Sequence, residues 1–96
     1  MNRDQVCRQV IKCLVDMAPV SNQEPLTENT NPMLKLGLDS HDGVNLACIL
    51  SEEFRCEVPN EVNPLVDDEH NRPRLIGEIT DLVCKLMVGK EEEGHG

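Results

Sequence analysis

The chain has 96 residues, and its 18 carboxylates against 9 Lys plus Arg set a formal net charge of −9. That length holds one domain with one core and leaves no room for a second fold. With no Trp, no Tyr and a single Phe, Phe54, the chain lacks stacking platforms for single-stranded nucleic acid, and its acidity disfavours phosphate backbones, so basic proteins are the expected partners.

From Arg3 to about Ala18, the apolar residues Val6, Val10, Cys13, Leu14 and Met17 recur at three- and four-residue intervals. This spacing predicts a helix with one buried face, closed by Pro19. Residues 19–35 gather Pro19, Pro25, Pro32, Asn22, Asn29 and Asn31, which predicts a long ordered loop pinned to the core by Leu26, Met33 and Leu36.

Asp39 and Ser40 open a second periodic run that continues to Phe54, with Asp42 adding a negative charge where the helix dipole favours it. At 100° per residue, Gly43, Leu46, Ala47, Leu50 and Phe54 share one side, the expected core face. His41, Val44, Asn45, Cys48 and Glu52 fall on the other, a mixed face suited to partners.

The stretch from Arg55 to Pro59 breaks this helix. Residues 60–74 read as acidic and irregular, with one short helical turn predicted around Val62, Leu65 and Val66. The cluster Asp67-Asp68-Glu69-His70 lacks the position pattern of a calcium loop, and no metal is expected there. Leu75, Ile76, Ile79, Leu82, Val83, Leu86 and Met87 share a stripe that predicts a last helix to about Val88, ended by Gly89. No strand periodicity is visible. The expected fold is therefore all-α, a small three- to four-helix bundle with a long loop between its first two helices, spanning residues 1–90 and followed by a flexible acidic tail at 91–96.

The five cysteines form no C-x-x-C pair, and the three histidines supply no zinc spacing. The odd cysteine count without a signal-peptide pattern predicts a reducing, cytoplasmic setting in which most of these thiols are structural. No apolar run reaches the length of a membrane span, so no membrane insertion is expected. The charge is unevenly placed. Residues 36–70 hold nine acids and one base, Arg55, for a net −8. Such a patch steers basic partners.

The most informative residues are Leu36-Gly37-Leu38-Asp39-Ser40. A serine beside an acid at a helix start is first of all a cap. A hydrolase reading finds no support: the G-x-S-x-G elbow is absent, and Ser40 and His41, as helix neighbours, point about 100° apart.

The run from Leu36 to Ser40, followed by Asp42, Val44, Leu46, Glu52-Glu53-Phe54 and Glu57-Val58-Pro59, resembles the acyl carrier protein family. The resemblance is weak in the first helix and specific from Leu36 to Pro59. It implies a carrier and not an enzyme, with a bundle of the acyl-carrier type. Ser40, beside Asp39, would receive phosphopantetheine from coenzyme A through a separate magnesium-using transferase, and the arm's thiol would hold acyl groups as thioesters. The phosphodiester is expected at the helix N-terminus, where free backbone N–H groups tolerate an anion.

Asp39, His41, Asp42, Val44, Asn45, Cys48 and Glu52 would form the recognition face for the phosphopantetheinyl transferase and for acyl-transferring, condensing or reducing enzymes with basic patches. The carrier is expected to act as a monomer. His41 stands where the family usually has leucine, Asn45 where it is commonly acidic, and residues 60–74 are longer than the family norm. The resemblance implies shuttling between enzymes of fatty-acid or specialised lipid biosynthesis, and these departures point to a specialised carrier, for lipid A type acyl chains, another lipid or a polyketide. A peptidyl or aminoacyl carrier, or an unmodified helical interaction module, are the alternatives.

Overall fold

Asn2 and Gln5 exchange hydrogen bonds at the start of the first helix: the Asn2 amide donates to Gln5 Oε1 and the Gln5 amide to Asn2 Oδ1, both at 2.9 Å. This capping box satisfies two donors that a helix N-terminus otherwise leaves unpaired. The computed structural model describes residues 2–18 and 25–95, with side chains through residue 88. In it, α1 (Arg3–Met17) buries Val6, Val10, Cys13 and Leu14, the face its periodicity predicts. Ala18 leaves the helix in extended geometry, φ −69° and ψ 132°. That is the conformation imposed on a residue preceding proline, although Pro19, like Asn22, lies outside the described residues.

The loop after α1 contains a helix that the proline and asparagine content conceals. Asn31 caps α2 (Pro32–Leu36) through its side chain, which accepts from the Leu34 amide at 3.3 Å, and Pro32 occupies the first turn, where its missing N–H costs nothing. Gly37 ends α2 in the left-handed region at φ 70°, ψ 29°. A Cβ there would cost about 1 kcal/mol or more. The reversal allows Leu36 and Leu38 to bury on either side of it, at 1% and 4% exposure. Leu26 and Met33 also pack against the core, as expected for a pinned loop.

α3 (Asp42–Phe54) buries Gly43, Leu46, Leu50 and Phe54 and leaves Val44, Asn45, Cys48 and Glu52 exposed. The two faces are those the sequence predicts, except that Ala47, expected in the core, is only half-buried. The start differs: the helix begins at Asp42, after a tight turn through Ser40 and His41.

Residues 55–75 contain no helix: in place of the short helical turn expected around Val62, Leu65 and Val66 stand two isolated turns, closed by the Val62 amide on the Pro59 carbonyl at 3.0 Å and the Val66 amide on the Asn63 carbonyl at 3.2 Å. Pro64 supplies no N–H, and the Asn63 side chain takes the Leu65 amide at 2.9 Å. Val66 instead enters a two-stranded antiparallel hairpin, β1 (Val66–Asp67) with β2 (Arg72–Pro73), in the register Val66 to Pro73 and Asp67 to Arg72. Two residues per strand are too few for an alternating pattern to be visible. The acidic cluster is the hairpin turn: Asp67 Oδ1 accepts from the Glu69 and His70 amides, and Asn71 takes the left-handed φ of 52°.

α4 (Ile76–His95) buries Ile76, Ile79, Thr80 and Val83. Thr80 pairs its hydroxyl with the Ile76 carbonyl at 2.9 Å, so this buried polar group is not stranded. Gly89 does not end this helix, which continues through 91–95, the stretch expected as a tail. A helical glycine costs only about 1 kcal/mol, and the Lys and Glu residues that follow are good helix formers with no proline among them. α1 packs mainly on α4 and then on α3. Around this seam Leu14, Leu46, Leu50, Leu65, Ile76, Ile79 and Val83 are wholly buried, each adding about 1.5–3 kcal/mol of transfer free energy. Among the described residues, no helix is long and apolar enough to cross a membrane.

Candidate functional site

Ser40 sits at the apex of the turn between α2 and α3, and Asp39, not Ser40, caps α3. Asp39 Oδ1 accepts from the amides of His41 at 2.9 Å and Asp42 at 3.2 Å, while Asp42 Oδ2 accepts from the Asp39 amide at 2.9 Å. The carboxylates thus brace the turn reciprocally, in the manner of a capping box. Asp39 wins because its side chain spans to the amides two and three residues on. The Ser40 hydroxyl is exposed and has no hydrogen-bond partner among the described residues, His41 included. His41 makes no side-chain cap bond either.

The same bracing corrects the expectation of free backbone donors at this helix end. The His41 and Asp42 amides go to Asp39, the Gly43 amide to the Ser40 carbonyl at 3.2 Å, and the Val44 amide to the His41 carbonyl at 3.2 Å. Asp39 supplies the negative charge that an anion would otherwise bring.

Asn63 completes the turn from the far side of the fold. Its Nδ2 donates to the Ser40 carbonyl at 3.0 Å, and its Oδ1 accepts from the Leu65 amide. The Ser40 carbonyl therefore holds two donors, the Gly43 amide and Asn63. Gly43 makes room for this: a Cβ built there would collide with the Asn63 carboxamide. Asn63 carries no motif of its own. The available signal was Gly43, a glycine on the buried face of a helix, which marks close approach by another chain segment.

The expected recognition residues divide into two groups. Val44, Cys48 and Glu52 form one wall of an open groove of about 560 Å³, whose other wall is residues 57–63. His41 and Asn45 are exposed but do not line it, and Asp39 and Asp42 are committed to the turn. Ser51 joins the walls, donating to the Ala47 carbonyl at 2.8 Å and accepting from the Val58 amide at 3.3 Å. Apolar Val44, Val58 and Val62 share the groove with Glu52, Glu57 and Glu61, so it offers both apolar surface and negative charge. Val44 is 69% exposed, and Leu34, on α2 six residues before Ser40, is 83% exposed, a second bare apolar side chain that the loop-like sequence did not disclose.

The acids of the hairpin belong to local pairs. The His70 ring and backbone amide bond Asp67 and lower its carboxyl below the ordinary range. Arg72 binds Glu78 through both guanidinium nitrogens, at 2.9 and 2.5 Å, and the Leu75 amide also donates to Glu78 at 2.9 Å, together holding Glu78 low. Asp67, Glu69 and His70 bring potential metal-ligand atoms within 4.8 Å of one another, and the hydrogen bonds of the hairpin turn account for that grouping. The five cysteines form no disulfide: Cys13 and Cys56 are buried, Cys7 and Cys84 partly so, and Cys48 is exposed. Burial, reinforced by nearby Glu53 and Asp16, pushes the Cys13 thiol up to about 11.

No protein-family model matches the chain, and no solved structure matches it.

Proposed function

We propose that this protein is an acyl carrier whose Ser40 accepts phosphopantetheine from coenzyme A. The observation that carries this reading is exposed Ser40, its hydroxyl without a partner among the described residues, on a turn braced by one oxygen each of Asp39 and Asp42 and by Asn63. A serine that does not cap its helix can be modified without loss of the cap.

In the modification, Ser40 Oγ bonds to the pantetheine-side phosphorus of coenzyme A, the pyrophosphate P–O bond breaks, adenosine bisphosphate leaves, and the hydroxyl proton passes to a base on the transferase. The residues present suit such a group: Ser40 is exposed, and attachment to its Oγ breaks no hydrogen bond among the described residues. When bound, the group supplies a thiol that carries acyl chains as thioesters. The chain's own part is to hold the turn rigid and to present the groove of Val44, Cys48 and Glu52 to basic enzymes. Each exposed charge pair formed there contributes about 0–1 kcal/mol, which suits transient docking. A specialised lipid or polyketide pathway is the setting we favour, because His41 and Asn45 alter the exposed face beside Ser40.

The test is the mass of the protein isolated from the cells that make it. A species heavier than the sequence by one phosphopantetheine, with a further acyl increment released by hydroxylamine, is the expected result. Protein bearing only its sequence mass, from cells whose other carriers are loaded, contradicts the reading and leaves an unmodified interaction module in its place.

A further inference from the structure

We infer that Asn63 is a positioning residue for Ser40, setting the direction in which its hydroxyl meets the transferase; this rests on Ser40 being the modified serine. Asn63 belongs to the segment between α3 and β1, 23 positions along the chain from Ser40, yet its Nδ2 reaches the Ser40 carbonyl at 3.0 Å. The orientation of the carboxamide is fixed at both ends, because Oδ1 takes the Leu65 amide at 2.9 Å. Leu65 is wholly buried, so the clamp is anchored in the core. Gly43 gives the carboxamide its space, since a side chain at that position would occupy it.

Asp39 and Asp42 tie the turn to α3 alone, through bonds no more than three residues apart. Among the described residues, Asn63 supplies the hydrogen bond that ties the Ser40 peptide to a segment beyond α3. Without it, the turn keeps its local bonds but loses its fixed attitude relative to the groove, whose wall includes Asn63. The hydroxyl then samples directions that a docked transferase cannot use, a loss in alignment and not in docking.

The design predicts a kinetic signature that a general loss of stability does not produce. Asn63→Ala and Asn63→Asp, made in the full chain, should keep the helical circular dichroism of the parent. With a broad-specificity phosphopantetheinyl transferase, coenzyme A and magnesium, both should show kcat for loading reduced roughly 10- to 100-fold with KM little changed. Asn63→Asp can still accept from Leu65 but cannot donate to Ser40, so it separates the two ends of the clamp. Gly43→Ala should lower kcat in a similar way by displacing the carboxamide, and should cost little more once Asn63 is already alanine.

Amide hydrogen exchange and NMR shifts of Ser40 and Gly43 test the clamp whether or not loading occurs. They should change in Asn63→Asp while those of α1 do not. If the parent is not loaded, the acceptor-serine reading fails while the clamp is judged by NMR. If the parent is loaded and the folded Asn63 variants load with unchanged kcat, or lose only KM, the positioning role is overturned. Unchanged Ser40 signals in Asn63→Asp overturn the clamp itself.

Discussion

Asp39 and Asp42 hold each other across the turn that carries Ser40: the Asp39 amide donates to Asp42 Oδ2 at 2.9 Å, and the Asp42 amide to Asp39 Oδ1 at 3.2 Å. The pair makes the cap and leaves the serine between them without one. Asp39→Ala should therefore cost about 1 kcal/mol, the usual value of a lost N-cap, which in a domain of this size lowers the melting temperature by about 4–8 °C. Ser40→Ala should leave it within about 0.5 kcal/mol of the parent. Calorimetry of the two variants checks the assignment; equal losses would return the capping role to Ser40.

The thiols should react in an order set by exposure. Cys48 is exposed on α3, whereas Cys13 is 4% exposed and its thiol is pushed up to about 11. Alkylation of the native protein at pH 8, followed by peptide mapping, should label Cys48 first and Cys13 only under denaturing conditions. Native labelling of Cys13 at the rate of Cys48 would contradict the packing of α1.

Acid should weaken the hairpin and the start of α4 together. Glu78 and Asp67 titrate below their ordinary range because Arg72 and His70 bond their charged forms. A carboxylate depressed in the folded state contributes stability above its unfolded pKa, about 4, and loses it as the pH falls through the folded value. Urea midpoints should therefore fall below about pH 4. Arg72→Gln should flatten that acid limb, since the Glu78 shift arises mainly from Arg72. An acid limb unchanged in Arg72→Gln would show that the pair contributes nothing in solution, the outcome for many exposed pairs.

Charge reversal in the groove should separate docking from chemistry. Glu52 and Glu57 line opposite walls, and both are exposed. Glu52→Lys combined with Glu57→Lys should raise KM for a transferase with a basic patch several-fold at low salt and reduce the dependence of the rate on ionic strength. Thermal stability should be nearly unchanged. Equal salt dependence in parent and variant would exclude the groove from docking.

The helices were legible wherever their apolar period was long. Val6 to Met17 and Gly43 to Phe54 marked the buried faces of α1 and α3 correctly, because a stripe sustained over three turns has few other solutions. α2 was hidden because five residues offer little more than one turn, and its cap and breaker, Asn31 and Gly37, read equally well as loop. The hairpin was missed for a similar reason: Asp67 to His70 looked like an acidic surface run, whereas Asp67 is the turn's acceptor. At the candidate site, the capping bond was not legible, since Asp39 and Ser40 are both cap formers and only geometry assigns it to Asp39. Asn63 was out of reach because its partner lies 23 residues away, although Gly43 recorded the space it needs.

The most direct measurement is intact mass after incubating the purified protein and its Ser40→Ala variant with coenzyme A, magnesium and a broad-specificity phosphopantetheinyl transferase. The account predicts that the parent gains one phosphopantetheine, mapped to the peptide containing Ser40, and that Ser40→Ala gains none. A parent that stays at its sequence mass while a control carrier is fully loaded, or a gain that survives in Ser40→Ala, would contradict it.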